Sequence, residues 1–497
     1  MLKKLFSEAV LYGVSTVLIR LINYTLIPIH TKVFAPAEFG IVSIFYAYAV
    51  LFNALYSYGM ETTFFRFMSK ADESEKPQVY NRILTSLISS SLLFSAIMYG
   101  FSAEIASFLG YANAQHYVQW FAILFAIDAI LIIPFAKLRA EHKAKQFVSL
   151  KLAEVIVTVG LNLFFLVICP KIYSGDSPET ISWFYNPNLG IGYAFLSNLY
   201  AKAFVLLLLW KAFANWRPAW DWTHMKQYYK YGFPFILTGV AVFVNESSDK
   251  LMLEAWLPEG FYSFGDSTYA VGVYSACYKL SIFITLAVTA FKYAAEPFFF
   301  AQADDKNSPE TFSRVMRYFI IVLMIMVVGV CTNIDWLSSI FIRRDSYKVG
   351  LSIVPFLLMA NMFLGIYYSL SVWFKVTDRT KFGAFISLGG ALVTLLGNYL
   401  LIPVLGYHGS AIATLICYAL MAITSYVLGQ RYYPIPYKLG NALLHMIGGL
   451  LFILFAYYLH KGDFWGNFFL QNCIFAGYLI FVGLIERKEI KKMLQRH

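Results

Sequence analysis

About fourteen stretches of this chain hold some twenty mostly apolar residues each, the length an α-helix needs to cross the hydrocarbon core of a bilayer. To within a few residues they run over 9–34, 39–59, 82–103, 115–136, 147–169, 189–210, 231–252, 270–291, 315–333, 350–374, 382–402, 409–429, 440–459 and 466–485. The longest connections (170–188, 211–230, 253–269 and 292–314) are too small to hold a soluble domain. None of the segments alternates polar and apolar residues at every second position, as the strands of a membrane barrel do. Composition agrees, with 59% hydrophobic and only 13% charged residues, about half the charged share of a soluble domain. An all-α integral membrane protein follows. Disorder, coiled coil and an ordinary soluble enzyme are excluded.

Charge then sets the orientation. The chain carries a net +11 from 39 Lys and Arg against 28 Asp and Glu. With the N-terminus cytoplasmic, basic residues at inside ends and loops outnumber those outside by roughly four to one. The inside group includes Lys137, Arg139, Lys143, Lys145, Lys151, Lys306 and Arg496, and the outside group includes Lys461. An even number of spans returns the basic C-terminus to the cytoplasm. The Met1–Glu8 start has the look of a signal sequence, but the apolar run continues past Arg20 to Phe34 with no small-residue cleavage site. It reads as a retained first membrane helix.

Three cations remain, Arg20, Lys202 and Lys279, each near the middle of an expected span. A charge at the bilayer centre costs roughly 2.5–3.5 kcal/mol on insertion scales, so such residues face a wet interior or a partner. Tyr12, Thr16, Arg20, Asn23, Ile27 and Thr31 recur at helical spacing and give a mostly polar stripe around Arg20. The plain structural alternative pairs Arg20 with Asp128 or Glu61, while the stems of Lys202 and Lys279 are long enough to snorkel toward an interface. The acids within spans are Asp128, Glu154, Glu246 and Asp249. Glu246 and Lys250 have the i, i+4 spacing of a helical ion pair, and Thr238, Asn245 and Asp249 share a face. Two roles stay open for these acids: a protonation or sodium site, or neutralisation of the buried cations. Pro28, Pro134, Pro234, Pro297, Pro355, Pro403 and the Gly389-Gly390 pair punctuate the spans, where bending is easiest.

A faint repeat relates the two halves. Tyr12-Gly13 and Phe39-Gly40-Ile41-Val42-Ser43 correspond to Tyr231-Gly232 and Val271-Gly272-Val273-Tyr274-Ser275. Leu189-Gly190-Ile191-Gly192-Tyr193-Ala194 likewise corresponds to Leu405-Gly406-Tyr407-His408-Gly409-Ser410-Ala411. Elements six helices apart in the same orientation predict two parallel six-helix lobes, 1–215 and 216–432, followed by an extra helix pair and basic tail over 433–497. Transporters place a central site between such repeats.

The negatives narrow the chemistry. No phosphate-binding G-x-x-x-x-G-K-[ST] loop, H-E-x-x-H or G-x-S-x-G occurs, so neither ATP hydrolysis nor zinc or serine hydrolysis is expected. Cys169, Cys277, Cys331, Cys417 and Cys473 are scattered within apolar segments and read as buried free thiols. No metal site or cofactor is expected beyond a coupling ion, H+ or Na+.

The motifs Tyr12-Gly13…Arg20…Pro28…Thr31…Phe39-Gly40 and Gly59…Arg66-Phe67 resemble the N-terminal half of bacterial polysaccharide (O-antigen type) flippases. Those belong to the multidrug/oligosaccharidyl-lipid/polysaccharide (MOP) exporter superfamily. Tyr231-Gly232-Phe233-Pro234…Asp249-Lys250…Val271-Gly272-Val273-Tyr274-Ser275…Pro297, then Pro403…Gly406…Gly409-Ser410-Ala411, is similar to the C-terminal half. Asp249-Lys250 stands where that family often has Asp-Arg. The resemblance implies alternating access through a cationic central cavity in the bacterial inner membrane. Its cargo would be an undecaprenyl-pyrophosphate-linked oligosaccharide moved from the cytoplasmic to the periplasmic leaflet. Arg20, Asn23, Arg66, Lys202 and Lys279 are then the candidate substrate-binding residues, and Asp128, Glu154, Glu246 and Asp249 the ion-coupling or charge-balancing ones. Expected partners are the lipid-linked oligosaccharide, membrane lipids and polysaccharide polymerase or glycosyltransferase machinery, without nucleic acid. A cation-coupled drug exporter of the same superfamily and a membrane glycosyl-transfer enzyme remain the alternatives.

Overall fold

The computed structural model describes residues 2–175, 178–302, 307–460 and 464–494; Lys306, Lys461 and Arg496 lie outside them. The described residues are helical, with no strand among them. In chain order the first helices are α1 Leu2–Tyr24, α2 Leu26–Val33, α3 Pro36–Ser57, α4 Met60–Lys70, α5 Lys76–Gly100, α6 Ser102–Phe108 and α7 Gln115–Ala140. There follow α8 Ala144–Leu163, α9 Cys169–Tyr173, α10 Gly192–Leu208, α11 Trp210–Ala214, α12 Trp222–Gly232, α13 Pro234–Glu246 and α14 Ser248–Trp256. The rest comprises α15 Ser267–Tyr278, α16 Ile282–Ala301, α17 Ser308–Thr332, α18 Ile334–Phe341, α19 Val354–Leu370 and α20 Val372–Val376. Last come α21 Lys381–Leu405, α22 Tyr407–Tyr432, α23 Leu439–Tyr458 and α24 Phe464–Leu494.

Among the described residues, 11 helical stretches are long and apolar enough to cross a membrane, and each coincides with an expected span. The chain is a multi-pass, all-α membrane protein. The other three expected spans are broken or short. The first divides at Thr25 into α1 and α2, the sixth is the 17-residue α10, and the seventh breaks at Ser247 between α13 and α14. Ser247 leaves helical geometry at φ −141°, and the Ser248 hydroxyl takes the carbonyl of Val244 at 2.6 Å. A π-helical turn over Phe164–Ile168 follows α8 just before Pro170. Proline has no amide to return to the preceding turn, which is a recognised cause of such widening.

Two compact units form, one from Met1–Phe34 with Glu38–Leu251, the other from Ala35–Ala37 with Met252–His497. Residues 216–251, which the repeat assigns to the second lobe, therefore pack with the first unit. Their seal is a buried apolar cluster in which Met225 and Tyr228 of α12 meet Tyr58, Met60, Phe64, Ile83, Leu84 and Ile133. At its edge, Tyr58 and Gly59 interrupt the second span with left-handed backbone, Gly59 at φ +73°. A Cβ on Gly59 would sit 2.4 Å from the carbonyl oxygen of Gly232. Two glycines thus let the α3–α4 break cross the α12–α13 junction at backbone contact distance. Asp221 caps α12 through the Thr223 amide at 3.0 Å, and the hydrogen bond from His224 above all holds its carboxyl below the usual carboxylate range. His30 of α2 reaches Asn162 of α8 at 2.9 Å.

In the second unit, α21 and α22 form a close hairpin. Gly406 turns at φ +57°, and Gly409 lies so near the Leu401 carbonyl that a Cβ there would be 2.3 Å from its oxygen. The last helix pair belongs to this unit's core. Glu486 of α24 accepts from Arg317 of α17 at 2.5 Å and pairs with His445 of α23 at 3.0 Å. The Asn467 amide of α24 donates to Asp335 of α18 at 2.6 Å.

Gly59→Ala is expected to destabilise the protein. A left-handed conformation costs an L-residue about 1–2 kcal/mol, and the added methyl meets a backbone oxygen rather than a movable side chain. Thermal unfolding in detergent checks this: the melting temperature should fall by several degrees, whereas Gly160→Ala, inside a helix where a Cβ meets nothing within 4 Å, should not lower it.

Candidate functional site

The first unit holds an open, polar-lined cavity of about 440 Å3, walled by α3, α4, α7, α8 and α10. Asn53, Ser57, Glu61, Asp128, Arg139, Lys151 and Lys202 supply its polar wall. At its centre the Lys202 ammonium sits 2.6 Å from Asp128 and 2.8 Å from Glu154. Glu154 turns its other oxygen to Lys151, 2.9 Å away and one turn earlier on α8. Toward the rim Arg139 pairs with Glu61. The Lys151 ammonium also lies 4.3 Å from the centre of the Phe135 ring, and the Arg139 guanidinium 4.9 Å from that of Phe65.

The arrangement follows from what each helix can offer. α7, α8 and α10 are apolar over most of their length, and each turns one or two ionisable residues to the shared cavity, where removing them from water demands partners. The side chains of Lys202, Asp128 and Glu154 are 16%, 22% and 15% exposed, so the cluster keeps contact with the cavity space. Three cations face three carboxylates, and the wall is charge-balanced. Such a cluster can exchange partners: an anion arriving beside Lys202 competes with Asp128 and Glu154, and a cation or proton arriving at a carboxylate competes with Lys202.

Of the residues proposed from sequence, Lys202, Asp128 and Glu154 come together here. Arg66 lies on α4, exposed, with its guanidinium 4.2 Å from the centre of the Tyr231 ring. Arg20 and Asn23 lie on exposed positions of α1, and Lys279 is exposed in the single 3-10 turn joining α15 to α16. Asp249 is buried in the first turn of α14, with Lys250 Nζ 3.0 Å from its carboxylate. Glu246 is exposed at the end of α13, on the other side of the Ser247 break. Glu61, weighed as a partner of Arg20, is engaged by Arg139, and Asp128 by Lys202. Arg139 and Lys151, orientation charges by their place in the sequence, line the cavity as well. The three-residue spacing of Lys151 and Glu154 on one helix was the available signal. The Arg317–His445–Glu486 cluster has no motif to mark it, although His445 is fully buried in an apolar span, which marks an ionisable residue as worth a partner.

A family model described as "Polysaccharide biosynthesis protein" matches residues 31–174 and 189–343, more than half of the chain. The chain belongs to this polysaccharide biosynthesis family. Its fold is similar to that of the lipid II flippase MurJ in an inward closed conformation, with TM-score 0.74 at 16% identity, covering 98% of this chain and 99% of that one. It is also similar to an inward-facing multidrug resistance MATE family transporter of the MOP superfamily, with TM-score 0.61 at 12% identity over 82% and 93%. A MOP superfamily transporter from Pyrococcus furiosus gives TM-score 0.58 at 14% identity over 86% and 94%. No curated protein matches the chain in sequence. The expected polysaccharide family is borne out, and the chain shares its fold with these structures.

Replacing Lys202 by Met would leave Asp128 and Glu154 facing each other without their shared cation. Breaking a buried pair in this way costs about 3 kcal/mol where some solvent access remains. The expected result is a clear drop in melting temperature in detergent, partly reversed in the Lys202→Met, Glu154→Gln double variant. Equal melting of the single variant and the native protein would contradict the bridging role.

Proposed function

We propose that the protein moves an undecaprenyl-pyrophosphate-linked oligosaccharide from the cytoplasmic to the periplasmic leaflet of the bacterial inner membrane by alternating access. The observation that carries this reading is membership of the polysaccharide biosynthesis family joined to a flippase fold spanning nearly the entire chain. The basic bias of the connecting segments supports cytoplasmic termini. The charged cavity supports a phosphate-bearing cargo in one specific way: its cations are held by exchangeable carboxylates rather than by backbone. An arriving pyrophosphate would take a share of the Lys202 charge, and the released Asp128 or Glu154 would bind H+ or Na+ in its place. Cargo and coupling ion are then linked through one ammonium group. Arg20, Asn23, Arg66 and Lys279 remain proposed cargo contacts, and Asp249 and Glu246 proposed balancing groups. Glycosyltransferases and a polymerase are the proposed partners, as supplier and consumer of the cargo.

The second reading, a cation-coupled exporter of small molecules, is supported by the likeness of fold to the MATE transporter. One reconstitution separates the two. Purified protein in liposomes is given a fluorescent undecaprenyl-pyrophosphate oligosaccharide or a cationic dye, with an imposed H+ or Na+ gradient. Transbilayer movement of the glycolipid, slowed about tenfold (about 1.4 kcal/mol) in Lys202→Gln and retained in Lys202→Arg, is expected. Dye export without glycolipid movement would instead establish the exporter.

A further inference from the structure

A second chamber in the first unit has a different chemistry. It measures about 520 Å3 and is walled by Phe52, Leu55, Phe94, Ile97, Phe233 and Ile236, with Tyr58, Ser90 and Tyr229 at one end. The hydroxyls at that end satisfy one another: Tyr58 meets Ser86 at 2.8 Å and Ser90 at 3.0 Å, and Ser86 meets Tyr229 at 2.8 Å. They need neither water nor a polar ligand. A chamber of ligand size with apolar walls and satisfied hydroxyls stays dry, and within a bilayer it fills with hydrocarbon. Along α5 it runs from Ser90 to Met98, about 12 Å of helix, close to the ~15 Å that half of a bilayer's hydrocarbon core provides.

The hydroxyl end leads to a charged, aromatic surface. On α12 and at Phe233, which joins it to α13, Trp222, Lys226, Tyr229 and Phe233 follow one another at spacings of four, three and four, one face of a helix. Ring contacts trace the same line, Trp222 to Tyr229 at 6.4 Å and Tyr229 to Phe233 at 5.1 Å. Tyr229 and Phe233 line the chamber, whereas Trp222, Lys226 and the neighbouring Lys230 are exposed. Trp220, also exposed, stacks with Trp222. Trp beside Lys is the pairing that favours a headgroup region, and two lysines complement an anionic head. The apolar length and the cations thus lie in the order of a lipid molecule.

We infer that this face of the first unit is a binding site for one anionic phospholipid, its chain in the Phe52–Phe94–Phe233 chamber and its phosphate beside Lys226 and Lys230. The site is separate from the charged cavity: the two share only the buried Tyr56 wall, whose hydroxyl is engaged with Ser95 at 3.1 Å. The lipid would brace α12 and α13 against α3 and α5, beside the Gly59–Gly232 crossing.

Native mass spectrometry of the full-length protein in detergent, titrated with phosphatidylglycerol or phosphatidylcholine, tests this. One phosphatidylglycerol should be retained in preference to phosphatidylcholine. Lys226→Gln with Lys230→Gln should weaken it about thirtyfold, the factor two lysines near an anionic head supply. Leu55→Trp, which narrows the chamber from its Leu55 wall, should weaken the same binding event while leaving the lysines in place. Unchanged retention in both variants overturns the inference, as does equal retention of the two lipids. Tighter retention of undecaprenyl phosphate than of phosphatidylglycerol also overturns it, by making the site one for the carrier lipid. Because the readout is equilibrium binding, it is independent of whether the protein flips any cargo.

Discussion

An ammonium group in the middle of a bilayer has to be answered by negative charge from its own protein. Lys202 receives that answer twice, from Asp128 on α7 and Glu154 on α8. Three otherwise apolar helices are thereby drawn around one point. The demand also propagates outward, since Glu154 is shared with Lys151 and the rim is closed by Arg139 and Glu61. A balanced cluster is a sounder solution to desolvation than a lone cation, because each charge keeps a hydrogen-bonding partner.

The same economy holds the second unit together. Arg317, His445 and Glu486 bring α17, α23 and α24 to one buried junction, and Asn467 with Asp335 makes a polar tie between α24 and α18. Between these ties, packing is by small residues against large ones, such as Gly449 against Met324 and Gly448 against Phe481. Apolar surfaces gain little from meeting one another in lipid, so close backbone approach and buried polar ties carry helix association there. The terminal pair, which the repeat leaves as an appendix, is consequently part of the unit's core.

Much of the fold was legible because the bilayer writes it in apolar length. Every helical stretch long and apolar enough to span coincides with a segment read from the sequence, and Gly59, Gly232, Gly406 and Gly409 of the quoted motifs mark real backbone contacts or turns. The interruptions were less legible. Nothing in the run 231–252 announces that Ser247 leaves the helix, because a serine is equally at home inside one. At the candidate site, Lys202, Asp128 and Glu154 could be picked out singly as costly residues. Their union could not be read, for it depends on which faces of α7, α8 and α10 turn toward each other. Arg139 and Lys151 were hidden by a different use of the same charges, as markers of orientation.

The break at Ser247 has a mechanical consequence. In an unbroken membrane helix, bending must stretch or sever bonds between backbone groups that have no alternative partner in hydrocarbon. Here the carbonyl of Val244 is already held by the hydroxyl of Ser248, a side-chain donor that stands outside the backbone ladder. The joint can therefore change angle while that oxygen stays satisfied.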